Sequence, residues 1–227
     1  MKNWILYEDN HILIVNKPPK IPVQGDKTGD TTLLDLGKEY IKKTYNKPGN
    51  VYLGLPHRID RPTSGIVILS KTSKSLSRMT KLFREKNIQK TYWAIVKNEL
   101  KPESGTLTHF LKKNRRLNKS FVGRPKQEGF LKSELTYTLK QVFNNYFLYE
   151  ILLITGRHHQ IRTQLSHVRS PIKGDIKYGF DRANKDGSIH LHSREIKFIH
   201  PIKNEKMKIQ APPPDDSVWT ACINKTQ

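Results

Sequence analysis

The chain has 227 residues, 35% of them hydrophobic, with a single cysteine and 41 Lys plus Arg against 20 Asp plus Glu, a formal net charge of +21. That length supports one domain with a sizeable core, and apolar residues gathered in compact runs argue against a disordered chain. No run approaches eighteen apolar residues, so no helix is expected to span a membrane, and the first ten residues hold too short an apolar stretch for a secretion signal; the lone Cys222 fits a reducing, cytoplasmic compartment. The charge favours a polyanion, nucleic acid being the commonest, while no basic amphipathic helix stands out to favour a membrane surface.

In chain order, WILYEDNHILIVNKPP (4–19) reads as two short strands around an Asp-Asn turn, stopped by Pro18 and Pro19. Residues 29–45 read as a helix capped by Thr31 or Thr32, with Leu33, Leu36, Tyr40 and Ile41 as its apolar stripe. A buried strand over 66–70 follows, then a helix over 71–87 with Leu76, Met79 and Leu82 or Phe83 inward, then a strand over 90–96. Residues 112–126 carry seven cations and no acid, which predicts a solvated loop or hairpin. Two strands, 133–143 and 146–154, face each other across an Asn-Asn turn. A helix over 158–169, a strand or strand pair over 189–201 and an extended exit at APPPDD complete the pattern. Nothing divides the chain, so a single domain over 1–227 is expected, of α+β class: a central mixed, largely antiparallel sheet flanked by helices.

Motifs for several chemistries are missing. There is no P-loop, no G-x-G-x-x-G and no G-x-S-x-G. Nine histidines occur without a cysteine pair or H-E-x-x-H, and the adjacent His158 and His159 are expected to diverge, so no metal site is read. HRIDRPTSG (57–65) is different. It sets the carboxylate of Asp60 between Arg58 and Arg61 at the entrance of a buried strand. In an extended run Arg58 and Asp60 share one side and His57 and Ile59 the other, and Pro62 keeps Arg61 extended. Cations nearby keep such a carboxylate ionised, fit to act as nucleophile or base. Its bland counterpart is an Asp held in a loop salt bridge.

HRIDRPTSG closely resembles the H-R-L-D-x-x-T-S-G signature of the RluA-type pseudouridine synthases. GRHHQIRTQLSHVRSPIKGDIKYG (156–179) resembles their G-R-x-H-Q-I/L-R motif and the G-x-P-I-x-G-D-x-x-Y-G that follows. DNHILIVNKPPKIPV is similar to their opening motif, QKTYWAIV to their strand with an inward tyrosine, and IHLHSREIKFIHP to their closing strand. The matches span nearly the whole chain in order. Gln164 stands where many members have histidine, and Arg169-Ser170 where a glycine precedes Pro-Ile. The opening motif begins so early that no S4-like domain is expected before it.

The resemblance implies a pseudouridine synthase fold with a basic catalytic cleft lined by Asp60, Tyr92 and Arg162, with Asp60 within ~4–6 Å of Arg162 for charge coupling. It implies isomerisation of uridine to pseudouridine in tRNA or rRNA, without cofactor or metal. Asp60 is the implied catalytic carboxylate. Arg58 helps flip the target out of structured RNA. Tyr92 stacks on the base, Arg162 keeps Asp60 charged, and Ile161 walls the pocket. Arg61 and Arg157 are the further candidate RNA-binding cations. RNA is the implied partner of a monomer with no membrane and no obligate protein partner. Two other readings remain: an RNA-binding or chaperone protein on the same scaffold, and a nuclease, which would want more carboxylates for metal ions.

Overall fold

The structure is a computed structural model and describes residues 1–25, 29–143 and 145–223. Its chain forms two compact units, Met1–Gln89 with Ser193–Pro213, and Lys90–His192 with Pro214–Gln227.

In the first unit, β1 (Ile5–Glu8) and β2 (Ile12–Lys17) form an antiparallel hairpin. The turn is made by Asp9, whose Oδ1 accepts from the backbone N–H groups of His11 and Ile12 at 2.8 and 2.9 Å. A short acidic side chain thus replaces a backbone acceptor. β2 pairs antiparallel with β3 (Ser64–Ser70), from Ile12 against Ser70 to Lys17 against Gly65. All seven residues of β3 are buried, as its apolar run requires. β9 (Leu191–Ile199) follows in the strand order, and β10 (Lys206–Gln210) pairs antiparallel with β9.

Side chains alternate between the two faces of a strand, and each face has its own helix. Ile12, Ile14, Ile66 and Ile68 pack with Met79 of α2 (Ser73–Arg84), while Leu13, Val15, Val67 and Leu69 pack with Leu33 and Ile41 of α1 (Leu33–Thr44). α1 starts where its sequence says it should. The Thr32 hydroxyl accepts from the Asp35 N–H, and the Asp35 carboxylate accepts from the Thr32 N–H, a reciprocal cap.

The second unit orders its strands β4 (Gln89–Val96), β8 (Tyr146–Leu153), β7 (Leu131–Phe143), β5 (Ser104–Asn114) and β6 (Lys119–Gly123), with antiparallel registers between all neighbours. Tyr92 and Ala94 of β4 face a core shared with Tyr137, Tyr149, Ile151 and, from α3 (Gln160–His167), Ile161 and Leu165. Ile95 faces a second cluster with Trp219 and Cys222 of α4 (Ser217–Ile223).

The α+β expectation holds: a mixed sheet, largely antiparallel, with four α-helices among the described residues. The cation run 112–126 is a hairpin, the end of β5 and all of β6. β5, β10 and α4 are additions to the sequence reading. Asn144, half of the expected Asn-Asn turn, lies outside the described residues. α3 begins at 160 rather than 158, because His159 adopts a left-handed φ of 51° that no helix continues. No described helix is long and apolar enough to cross a membrane.

Candidate active site

Asp60 begins a turn: its carbonyl accepts from the Thr63 N–H at 3.1 Å, and β3 starts at the next residue. Ahead of it, Arg58 is exposed and Ile59 is buried in the α1-side core, the alternation that an extended run dictates. His57 anchors the run. Its Nε2 accepts from the Ile68 N–H at 2.9 Å and its ring stacks on Phe83 of α2, centroids 4.4 Å apart. Gly65 closes the segment. It sits at φ +110°, and a Cβ there would lie 2.4–2.8 Å from the Ser193 backbone. Only glycine combines that conformation with so close an approach.

Arg61 is a clasp. Its Nε donates to the Lys20 carbonyl at 2.9 Å, its own carbonyl accepts from the Lys20 N–H at 2.8 Å, and its guanidinium meets Asp30 at 2.7 Å. This ties the chain after Pro19 to the Asp60 turn. Beneath it lies Lys17, fully buried, whose ammonium donates to the carbonyls of Pro18 (2.8 Å) and Arg61 (3.2 Å). Burial pushes the Lys17 ammonium down to about 7; the charge of Asp60 pulls the other way and that of Arg61 reinforces the fall. Asp60 therefore has a basic neighbour, Lys17, from outside its own motif.

In the second unit, Tyr92 is 7% exposed and shares its core with Ile161. Arg162, one residue on, is buried and bidentate with Asp175: Nε to Oδ2 at 2.7 Å and Nη2 to Oδ1 at 2.8 Å. The guanidinium also lies 4.9 Å from the centroid of the Tyr178 ring. A planar cation clamped this way has one orientation. The turn before α3 is set by Gln160, whose Oε1 accepts from Thr155 Oγ1 and the Arg157 N–H, and whose Nε2 donates to the Glu134 carbonyl. Arg157 itself is exposed.

His158 and His159 do not diverge. The left-handed turn at His159 brings the two rings into a stack, 3.7 Å between centroids and 21° apart in plane. His158 meets Ser120 Oγ at 2.9 Å and Asn118 Oδ1 at 3.2 Å, and His159 meets the Tyr178 hydroxyl at 2.9 Å. The pair thus docks the cationic β5–β6 hairpin beside α3. Burial, then the Arg162 and His158 charges, push the His159 imidazole down to about 2, so it stays neutral. Among the described residues no His, Cys, Asp and Glu cluster could hold a metal ion.

A family model described as RNA pseudouridylate synthase matches residues 11–167, a span that takes in the Asp60 turn, β4 and α3. The chain belongs to the RNA pseudouridylate synthase family. Its activity is accordingly that of an isomerase, RNA uridine to pseudouridine. Ribosomal large subunit pseudouridine synthase C of Buchnera aphidicola subsp. Acyrthosiphon pisum is 37% identical over 218 residues, 92% of this chain and 67% of that protein. The proteins of the same name from Vibrio cholerae (33% over 223 residues, covering 93% and 66%) and Escherichia coli K12 (32% over 229 residues, covering 97% and 69%) are also similar. The chain thus spans about two thirds of the length of these curated relatives. Among solved structures, Human RNA Pseudouridylate Synthase Domain Containing 4 superposes with a TM-score of 0.80 at 22% identity, covering 99% of this chain and 93% of that one. Human RNA Pseudouridylate Synthase Domain Containing 1 does so at 0.73 and 22%, covering 96% and 86%. These two share the pseudouridine synthase fold.

The departures from the synthase motifs have local explanations. Gln164 is fully buried and its Nε2 donates to the carbonyls of Leu107 and Ser133, stitching α3 to β5 and β7. Arg169 holds φ +60°, the conformation a glycine takes without strain, and the Asn98 amide fixes its carbonyl. Sequence reading of the synthase motifs missed Asp175 and Lys17 as partners. Both sit inside quoted motifs, IKGD and NKPP, but neither pairing is encoded by spacing.

Proposed function

We propose that this synthase isomerises uridine in the RNA of the large ribosomal subunit, with Asp60 as the catalytic carboxylate. The observation that carries the substrate class is the likeness over nine-tenths of the chain to relatives named for that subunit. The carboxylate assignment rests on the motif and is supported by the backbone-built turn that holds Asp60 and by its charge coupling to Lys17. In the reaction the N1–C1′ bond breaks, the uracil turns while held, and C5 bonds to C1′. C5 loses a proton and N1 gains one, so the product is an isomer and no cofactor or metal is consumed.

Arg58, exposed ahead of the turn, displaces the target base from its stack, an energetic cost lowered when the site is unpaired. Tyr92 supplies the ring against the flipped base and Ile161 supports it from the core. Arg162, oriented by Asp175, is the counter-cation that keeps Asp60 ionised. Arg157 takes a phosphate. Arg61 acts mainly through the turn it clasps, since its guanidinium already serves Lys20 and Asp30. The protein works as a monomer in the cytoplasm, and RNA is its partner.

Tritium release from 5-³H-uridine in large-subunit rRNA and in bulk tRNA tests this reading. Release from the rRNA is expected. Release from tRNA alone would move the substrate class, and none from either would leave an RNA-binding protein on this scaffold.

A further inference from the structure

At the far end of β3 from the Asp60 turn lies a pocket of about 380 Å³, with Asn10, Tyr45, Lys47, Asn50, Tyr52 and Lys71 in its wall. Its position follows from the strand. Asp60 and Thr63 precede Ser64, the first residue of β3, whereas Lys71 follows Ser70, the last, and Gly54 bridges to Ser70 two residues beyond Tyr52. A strand of this length separates its ends by about 20 Å. The pocket therefore cannot hold the uridine that meets Asp60.

The wall is preorganised. Glu8 is its hub: Oε1 accepts from Lys71 Nζ at 2.7 Å and from the Tyr45 hydroxyl at 2.8 Å, and Oε2 accepts from the Tyr40 hydroxyl at 2.9 Å. The Lys71–Glu8 pair is largely buried, and the Lys71 ammonium lies 4.9 Å from the centroid of the Tyr45 ring. So one wall of the pocket, Tyr45 with the Lys71–Glu8 pair, is fixed before anything binds, which leaves Tyr52 and Lys47 as the groups free to meet a ligand. Yet Tyr45 and Tyr52 are each 48% exposed, an unusual pair of large rings to leave in water at one pocket. Asn10 and Asn50 add amide donors and acceptors, and Lys47 adds a cation at the rim.

We propose that this pocket is an accessory site for an unpaired nucleotide of the RNA substrate, lying outside the reacting position, with its base stacked on Tyr52 and its phosphate at Lys47. The chemistry is complementary. Every base has a π-face that stacks on an aromatic ring, amides pair with base edges, and a chain of charge +21 attracts the backbone. The segment 51–60, which runs from the pocket to Asp60, would then link the two contacts on one strand of RNA. This inference rests on the RNA-modifying reading and extends it to substrate selection.

The test compares Tyr52→Ala, Lys47→Ala and their double variant with wild type on two rRNA fragments. One is a minimal stem-loop around the target; the other extends well past 20 Å from it. The double variant is expected to raise KM on the long fragment about tenfold, the scale of losing one stacked base, with kcat unchanged and no effect on the short one. Tyr52→Phe, which keeps the ring, should restore the long-fragment KM. Equal effects on both fragments, or none, would overturn the proposal. Filter-binding titration of the same fragments gives affinities without any turnover, so the pocket is decided even if the wild type releases no tritium. Free UMP or AMP that competes with the long fragment as well as RNA does would make this a mononucleotide site and likewise overturn it.

Discussion

The Asp60 turn and the α3 entry are held by opposite means. Around Asp60 the holding atoms are mostly backbone: the carbonyls of Pro18, Lys20 and Arg61, the N–H of Thr63, and Gly65 pressed against Ser193. Around Arg162 they are side chains: Asp175, Tyr178, Gln160 and the stacked histidines. A backbone-built turn depends on a few conformationally special residues and tolerates change elsewhere. A side-chain network depends on every member, because each leaves a buried partner unsatisfied when it goes.

Gly65→Ala should break the first region most severely. The new methyl group would meet the Ser193 backbone, which has no rotamer to move, at a φ that disfavours any Cβ. We expect a loss of about 3 kcal/mol or more in urea unfolding, or no folded protein at all. A loss under about 1 kcal/mol would mean that the turn is softer than its geometry implies.

Asp175→Ala probes the second region. It removes the bidentate partner that orients the buried Arg162 guanidinium, a change worth about 3 kcal/mol. Urea unfolding again measures it. Adding Arg162→Met to Asp175→Ala should recover part of that loss, since the buried charge that Asp175 balanced goes too. No recovery would show that the network is additive rather than coupled.

Lys17 makes the first region respond to pH. Its pKa is lowered in the fold, so between about 7 and its ordinary value of 10.5 the unfolded chain binds the extra proton. Stability from this group therefore rises with pH across that window. Lys17→Met should flatten the rise of Tm from pH 7 to 10, whereas His159, neutral throughout, adds no slope. An imidazole C2–H resonance of His159 that titrates near 6.5 would contradict its burial.

The smallest effect is at Arg169. Replacing it by glycine relieves a left-handed residue and should raise stability by about 1 kcal/mol or less. A fall in Tm would show that the arginine side chain does more than occupy the turn.

The contrast also explains what could be read in advance. The first hairpin, the α1 cap and the buried β3 follow from local signals: Asp9 before a strand, Thr32 three residues before Asp35, an unbroken apolar run. Asp60 was legible because its turn is encoded in consecutive residues. The α3 entry was legible only as a motif. Nothing local says that Arg162 finds Asp175, or that His159 turns left-handed and stacks on His158. β10 gives little signal because KMKIQ, alternating charged and apolar, is short and lies on an edge. α4 was masked by the prolines before it, although Asp216 gives a start signal by accepting from the N–H groups of Val218 and Trp219. β5 gives little signal because its first eight residues, SGTLTHFL, hold only a broken alternation; its cations Lys112 and Lys113 fall in the run expected to be a loop or hairpin, which is a hairpin.

If catalysis depends on the Asp60 carboxylate, Asp60→Asn abolishes it. The change is nearly isosteric and removes only the charge. Tritium release from 5-³H-uridine rRNA should vanish, while affinity for the same RNA holds or rises, one repulsive charge having left a phosphate-binding surface. A thermal melt of the variant separates this from unfolding. Release at the wild-type rate from a folded Asp60→Asn protein would contradict the assignment.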